Sequence, residues 1–387
     1  MTRTIQPELV RRPEDLSGEW LTAVLGGAGL LDEGSSVEGF DVIPVGTGQM
    51  ADTVRVTFRT GTGGEALRTG KGREAFGTVT GGEGPPVRSV VAKFASADEQ
   101  SRSTGLMTRA YEIEVGFYGE VAGRIRTRMP RCYHQACDPD TGWFVLVLED
   151  LADAVQGEQL DGCGVEVAAA ALAELAALHG PTWRQGDLAR LEWLDRGGAE
   201  ADEFLAGLVT SLWPGFVERY GDRLVADHLA LCDRLIAVLG PWLAARPEAT
   251  AVTHGDFRLD NLLFRPGDVR PYVVDWQTAS WGPAASDVAY FVGGSLTVED
   301  RRRHGEALLD GYHAALVAEG VAGFDRDRLD QEYRRLCFGG LVMSIGASML
   351  VKRTERGDDM FVTSVARYAQ QALDLEAEAT LPSGAGR

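Results

Sequence analysis

The sequence predicts an α+β fold in two lobes, an antiparallel-sheet N-lobe followed by a mainly helical C-lobe. Two regularities carry that expectation. Residues 1–150 are dense in short runs of strand type, whereas residues 151–387 repeat apolar residues at three- and four-residue steps. A third observation locates the chemistry. The polar loop His254-Gly-Asp-Phe-Arg-Leu-Asp-Asn261 lies between apolar runs and is followed by Val273-Val-Asp-Trp276. At 387 residues the chain is long enough for two lobes, each with its own core. The boundary is expected near residue 150, giving an N-lobe of 1–150 and a C-lobe of 151–387.

In the N-lobe, residues 1–35 open with a helix. Ser17 is its N-cap, Leu16 and Leu21 form a hydrophobic staple, and Gly26-Gly27 stop it. Val37 to Phe58 reads as two strands around Val45-Gly-Thr-Gly-Gln-Met-Ala51. Gly46 and Gly48 in that turn let backbone N–H groups approach phosphates. Thr60 to Ser89 is Gly-rich, carries Pro85-Pro86 and lacks apolar periodicity, so it reads as an insertion between strands, with Lys71 inside it unassigned. Val90-Val-Ala-Lys-Phe94 is the next strand, with Val90, Ala92 and Phe94 on one face and Val91 and Lys93 on the other. Three of the 38 basic residues are lysines, at 71, 93 and 352, which makes Lys93 conspicuous. Thr104 to Ala122 reads as one helix with Glu114, Phe117, Tyr118 and Val121 on a stripe. Glu114 is thereby placed to pair with Lys93, while Glu112, about 200° round the helix, faces solvent. Arg131–Cys137 and Trp143–Leu148 form a last strand pair, followed by Glu149-Asp-Leu151.

Helical patterns in the C-lobe cover 165–179, 199–219, 223–245, 299–318, 326–352 and 358–378. His179 shares a face with Leu172 and Leu175 and reads as structural. Trp183, Trp193 and Trp213 read as core or interface. Val252, Leu262–Phe264 and Tyr272–Val274 are strand-like, with the tight turn Arg265-Pro-Gly-Asp268 between the last two. That small β-structure presents Asp256, Asn261 and Asp275 at one edge. One carboxylate there can take a proton from a hydroxyl, and the other oxygens can hold Mg2+ against a polyphosphate. The segment from Trp281 to Phe291 starts a helix with Ser286 or Asp287 near its N-terminus.

The pattern His-Gly-Asp-x-x-x-x-Asn, then Val-Val-Asp-Trp, resembles the catalytic and metal loops of the aminoglycoside phosphotransferase and choline kinase superfamily, small-molecule relatives of protein kinases. Gly255 stands where protein kinases have Arg, and Trp276-Gln277 where they have Phe-Gly; both departures point to the small-molecule branch. His-Gly-Asp-Phe-Arg-Leu-Asp-Asn is also similar to the kinase domains fused to certain acyl-CoA dehydrogenases and to the ecdysteroid-kinase-like branch. The resemblance covers residues 40–290. It implies a protein-kinase-like bilobal fold with a cleft between the lobes, and transfer of the γ-phosphoryl group of ATP, with GTP as the other option, to a hydroxyl of a small molecule. It implies Asp256 as the base, Asn261 and Asp275 as Mg2+ ligands, and Lys93, held by Glu114, on the phosphates. Gly46 and Gly48 would cover the phosphates, and backbone groups at Glu149 and Leu151 would meet the base of the nucleotide. Asp287-Val-Ala matches an element whose Asp braces the catalytic loop. Arg258 lies where protein kinases carry a Lys near the transferring group. It either stabilises charge on that group or forms a salt bridge to Asp260 or Asp287 that shapes the loop. A pseudokinase acting as an interaction module, and a kinase of a hydroxyacyl thioester, are the competing readings.

Composition bounds the partners. The formal charge of −19 argues against a nucleic-acid surface. It either draws a cationic substrate or serves solubility. No run of about 18 uncharged apolar residues occurs, so a membrane span is not expected. The N-terminus lacks the apolar core of a signal peptide. Five scattered cysteines with no Cys-x-x-Cys spacing read as free thiols in a reducing cytoplasm. A cytoplasmic monomer or homodimer is expected.

Overall fold

The computed structural model describes residues 7–46, 50–62, 88–194, 198–247 and 249–382. Gly48, Lys71 and nearly all of the Gly-rich insertion lie outside the described residues. The chain forms two compact units. The first takes residues up to Tyr118 together with Pro130–Ala152, and the second takes Gly119–Met129 and everything from Asp153 onward.

The first unit is built on α1 (Gly18–Gly27), β1 (Ser35–Pro44), β2 (Ala51–Thr62), β3 (Arg88–Ala95), α2 (Glu99–Met107), α3 (Ala110–Gly116), β4 (Cys132–Asp138) and β5 (Trp143–Glu149). Ser17 caps α1, its hydroxyl accepting from Trp20 N–H at 3.1 Å. The strands form one five-stranded sheet in the order β1-β2-β3-β5-β4, each neighbouring pair antiparallel. Alternation in β3 behaves as the sequence predicts. Val90, Ala92 and Phe94 are buried and pack with Val54, Val56, Phe58, Val145 and Val147 against Trp20, Leu21, Val24 and Leu25 of α1. Each large aliphatic or aromatic side chain so buried contributes about 1.5–3 kcal/mol.

The single helix expected over 104–122 is broken. Arg109 adopts a left-handed conformation, φ 58°, between α2 and α3. The break lets Tyr111 fold back over Gly105, where a Cβ would lie 2.4 Å from the ring. Tyr111 stacks on Phe144 at 4.5 Å, and its hydroxyl donates to the Met50 carbonyl at 2.6 Å.

The second unit contains β6 (Val155–Gln156), α4 (Val165–Thr182), α5 (Ala199–Tyr220), α6 (Ala226–Ala237), α7 (Leu239–Ala244), β7 (Thr250–Thr253), β8 (Leu262–Phe264), β9 (Tyr272–Val273), β10 (Ser280–Pro283), α8 (Ala285–Ser295), α9 (Val298–Ala318), α10 (Arg326–Leu336), α11 (Gly339–Leu350) and α12 (Glu355–Asp374). Two expected helices are split. The 223–245 pattern breaks at Val238 because Pro241 has no N–H and its ring clashes with the carbonyl four residues back. The 326–352 pattern breaks at Cys337-Phe338, and α11 then opens on Gly339-Gly340, where a Cβ on Gly340 would sit 2.4 Å from the Tyr368 ring of α12.

The small β-structure also differs from expectation in one strand. β8 and β9 pair antiparallel, Leu262 opposite Val273, through a turn in which Asp268 N–H meets the Arg265 carbonyl at 3.0 Å. Val252 does not join them. It pairs with Trp281 in a separate β7–β10 ribbon, while β6 takes the other edge of β8.

Candidate active site

In the first unit the strand period and the helix stripe bring one cation to one carboxylate. Lys93 projects from β3 on the face opposite the core, and its Nζ lies 2.7 Å from each Glu114 carboxylate oxygen. The Glu114 side chain is 2% exposed and that of Lys93 12%, so the pair is largely withdrawn from water. Glu112 instead pairs with Arg109 at the surface. Gly46 closes β1 with φ 78°, next to Val45, whose N–H meets the Thr53 carbonyl at 2.9 Å. Glu149 ends β5, and its N–H is taken by the Arg131 carbonyl at 2.8 Å. Leu151 is buried. Between them, Asp150 receives Arg55 through two bonds of 2.7 and 3.1 Å, which tie the end of β5 to β2. Nothing in the sequence pattern marked that clamp.

In the second unit the chain leaves β7 at Thr253 and enters the polar loop. Gly255 has φ 81°, and a Cβ there would lie 2.5 Å from the Thr278 carbonyl oxygen. The residue that distinguishes this loop from the Arg-containing version is thus required by backbone approach. His254 is fully buried. Its Nδ1 accepts from Asp256 N–H at 3.3 Å, so Nε2 carries the hydrogen that donates to the Val274 carbonyl at 3.0 Å. That bond, with Val274 N–H to the Asn261 carbonyl at 3.0 Å, laces the His254–Asn261 loop to the segment that carries Asp275.

Asp287, near the start of α8, closes the loop from below. Its carboxylate accepts His254 N–H at 2.7 Å, Gly255 N–H at 2.9 Å and His179 Nε2 at 3.2 Å. The far side of the His179 ring meets the Tyr312 hydroxyl at 2.8 Å. Burial opposes the Asp287 charge, but the hydrogen bond from His179 and the electrostatic interactions with His179 and His254 outweigh it and hold the carboxyl below its ordinary pKa. His179 is structural, as its stripe suggested, and its partner is the loop brace itself.

Two of the predicted polar side chains, Asp256 and Asn261, meet, and the third, Asp275, follows the residue whose N–H bonds the Asn261 carbonyl. Asn261 Nδ2 donates to the Asp256 carbonyl at 2.9 Å and to its Oδ2 at 3.0 Å. Arg258 Nε donates to the same Oδ2 at 3.0 Å, while its Nη1 bonds Asp260. Of the two salt bridges considered for Arg258, the one to Asp260 forms, joined by one to Asp256. Burial works against the Arg258 charge, but Asp256, Tyr290 and Asp260 more than offset it and raise its pKa. Asp260 is itself buried and also receives Gln159 N–H and Arg356, each at 3.1 Å. Asp275 has φ 70°, a left-handed conformation that Asp tolerates better than most residues, and its Oδ2 accepts from Gln277 at 3.2 Å. Sequence reasoning missed Gln159, which receives Leu259 N–H at 2.9 Å, and Tyr290, which donates to Asp256 Oδ1 at 2.7 Å. Tyr290 was within reach of inference, since it lies three positions after Asp287 on one helix face.

Among the described residues no group of three or more His, Cys, Asp and Glu side chains is arranged to hold a metal ion. The set Asn261 and Asp275 still fits Mg2+. The Asn261 amide nitrogen is turned to Asp256, and its backbone carbonyl is bonded by Val274 N–H, next to Asp275 in the chain. Mg2+ is commonly held by one or two carboxylates, with water and phosphate completing the octahedron. Trp193 and Trp213 are buried, with indole N–H groups donating to Glu120 and Asp233 at 2.8 and 2.7 Å, and all five cysteines are free thiols. No described helix is long and apolar enough to cross a membrane.

The chain is similar to several known proteins. The chain is 44% identical over 59 residues to acyl-CoA dehydrogenase family member 10 of Mus musculus, a match covering 15% of this chain and 5% of that protein. The structure of a microcompartment-associated aminopropanol kinase aligns with a TM-score of 0.50 at 12% identity, over 89% of this chain and 94% of that one. An ethanolamine kinase from Plasmodium vivax aligns with a TM-score of 0.49 at 12% identity, over 94% and 91% of the two chains. A model of the phosphotransferase enzyme family, APH, matches residues 84–330, which include Lys93, Glu114, the His254–Asn261 loop, Asp275 and Asp287. The chain therefore belongs to the phosphotransferase enzyme family, APH.

Proposed function

We propose that the protein transfers the γ-phosphoryl group of ATP to a hydroxyl of a small molecule. The observation that carries this reading is the placement of Asp256, Asn261 and Asp275 on two laced segments of one unit. Asp256 serves as the base that takes the acceptor's proton. Asn261 and Asp275 hold Mg2+, which neutralises phosphate charge when bound. In the other unit Lys93, kept extended by Glu114, binds phosphate oxygens, and the Gly46 turn covers them. Backbone groups at Glu149 and Leu151 meet the nucleotide base. Arg258 both shapes the loop, through Asp260, and lowers the cost of charge beside Asp256. Such catalysis is mainly positioning plus charge stabilisation.

A pseudokinase lacks at least one of these groups, whereas Lys93, Asp256, Asn261 and Asp275 are all present. The test is ATP consumption with Mg2+ against a panel comprising an aminoglycoside, an amino alcohol, a sugar, a nucleoside and a hydroxyacyl thioester. Turnover with at least one member is expected. Nucleotide binding with no turnover on any would favour an interaction module, and phosphorylation of peptides alone would favour a protein kinase.

A further inference from the structure

Asp256 is gripped by more than its own loop. Oδ2 accepts from Arg258 Nε and Asn261 Nδ2, each at 3.0 Å, and both donors sit on the same turn as Asp256. Oδ1 accepts from the Tyr290 hydroxyl at 2.7 Å, and Tyr290 lies on α8, 34 positions away. The same helix holds the loop backbone through Asp287, one turn earlier. One rigid element thus fixes both the backbone at 254–255 and the side chain at 256.

Tyr290 is held in turn. Its ring stacks on Tyr368 with centroids 5.4 Å apart and planes 28° from parallel. Tyr368 is buried against helices that leave room for it. A Cβ on Gly294 would lie 2.3 Å from its oxygen, and one on Gly340 would lie 2.4 Å from its ring. Burial, and then the Asp256 charge, push the Tyr290 hydroxyl well above its ordinary pKa, so it stays protonated and donates.

A carboxylate oxygen offers about two lone-pair sites. Both sites on Oδ2 are taken, whereas Oδ1 has one taken by Tyr290 and one to spare. From this count we propose that Tyr290 is a positioning residue for phosphoryl transfer, reserving Oδ1 as the proton-accepting atom and setting the direction from which the acceptor hydroxyl approaches it. The proposal rests on the phosphotransferase reading above. In the step itself the acceptor oxygen bonds the γ-phosphorus while the bond from that phosphorus to the ADP oxygen breaks. The acceptor's proton passes to Oδ1 and then to solvent.

Tyr290→Phe tests this, because it keeps the ring and its stack and deletes only the donor. Rates are measured with Mg2+ and ATP, using the panel member that wild type phosphorylates fastest and, separately, water as the acceptor. Transfer kcat should fall about 10–100-fold, the scale of a misplaced reacting group. The KM for ATP should stay within about twofold, as expected when ground-state nucleotide binding is untouched. The ratio of hydrolysis to transfer should rise, since water needs no fixed direction of approach. In an Asp256→Asn background Tyr290→Phe should cost nothing more, because it acts through that carboxylate. If Tyr290→Phe also lowers the melting temperature, rates taken well below its midpoint decide: loss confined to kcat supports the proposal, and loss shared equally by kcat and the KM for ATP overturns it. Full kcat in Tyr290→Phe, or the same loss without the Asp256 carboxylate, would overturn it too. Wild type inert toward every acceptor would instead retire the phosphotransferase reading, a result no Tyr290 variant is needed to see.

Discussion

The two units hold their functional groups in opposite ways. In the first, Lys93 and Glu114 project from a regular strand and a regular helix, and the elements themselves aim them. In the second, Asp256 sits in a loop that is left-handed at Gly255 and is laced to a segment that is left-handed at Asp275. A loop has no ladder, so each of its polar groups needs an individual partner. Those partners come from Gln159, Asp287 and Tyr290, on segments far apart in the chain. One site is aimed by periodicity, the other by a network.

The sharpest way to break that contrast is to remove one member from each. Asp287→Ala strands two backbone N–H groups and His179 in the interior, and should cost about 3–5 kcal/mol, since each buried donor left unpaired costs about 1–3 kcal/mol. Glu114→Gln leaves Lys93 an oxygen partner and loses only the charge, so denaturant melts should show about 1.5–3 kcal/mol, the scale of a hydrogen bond to a charged group. Equal losses would mean that the loop is no more networked than the sheet. The Asp287 contribution also has a pH signature. Its folded pKa is lowered from 3.8, so the stability it adds is complete above that value and disappears as pH falls through the folded pKa. Wild type and Asp287→Asn should therefore differ at neutral pH and converge in acid.

Arg258→Lys should have the smallest effect. It keeps the charge but cannot span Asp256 and Asp260 with one planar fork. Turnover should fall about 10-fold, equivalent to about 1.4 kcal/mol of barrier, with a small drop in melting temperature. Unchanged turnover and stability would show that neither salt bridge acts as a brace.

The same contrast explains what could be read from the sequence. Alternation in Val90–Phe94 placed Lys93 on the correct face, and the 114-117-118 stripe selected Glu114 over Glu112, because period 2 and period 3.6 are local properties. The β8–β9 turn was legible from Pro266-Gly267. The break at Arg109 was not, because it depends on Tyr111 packing over Gly105 and on Phe144 in a distant strand. Val252 was assigned to the wrong neighbour because a four-residue apolar strand carries no record of its pairing. Motif spacing marked Asp256, Asn261 and Asp275. It could not mark Gln159, whose only local sign is a polar residue in a short connection, nor the Arg55–Asp150 clamp, which joins positions 95 apart.

The central claim is that Asp256 takes the proton while Asn261 and Asp275 serve the metal. Single-turnover transfer from ATP, measured beside calorimetric titration of Mg2+ and ATP, tests it in wild type, Asp256→Ala and Asp275→Ala. Asp256→Ala should lose about 10²–10⁴-fold in rate, the usual contribution of a general base, and keep its nucleotide affinity. Asp275→Ala should lose both the rate and the metal-dependent part of the affinity. Equal rates in wild type and Asp256→Ala would contradict the account.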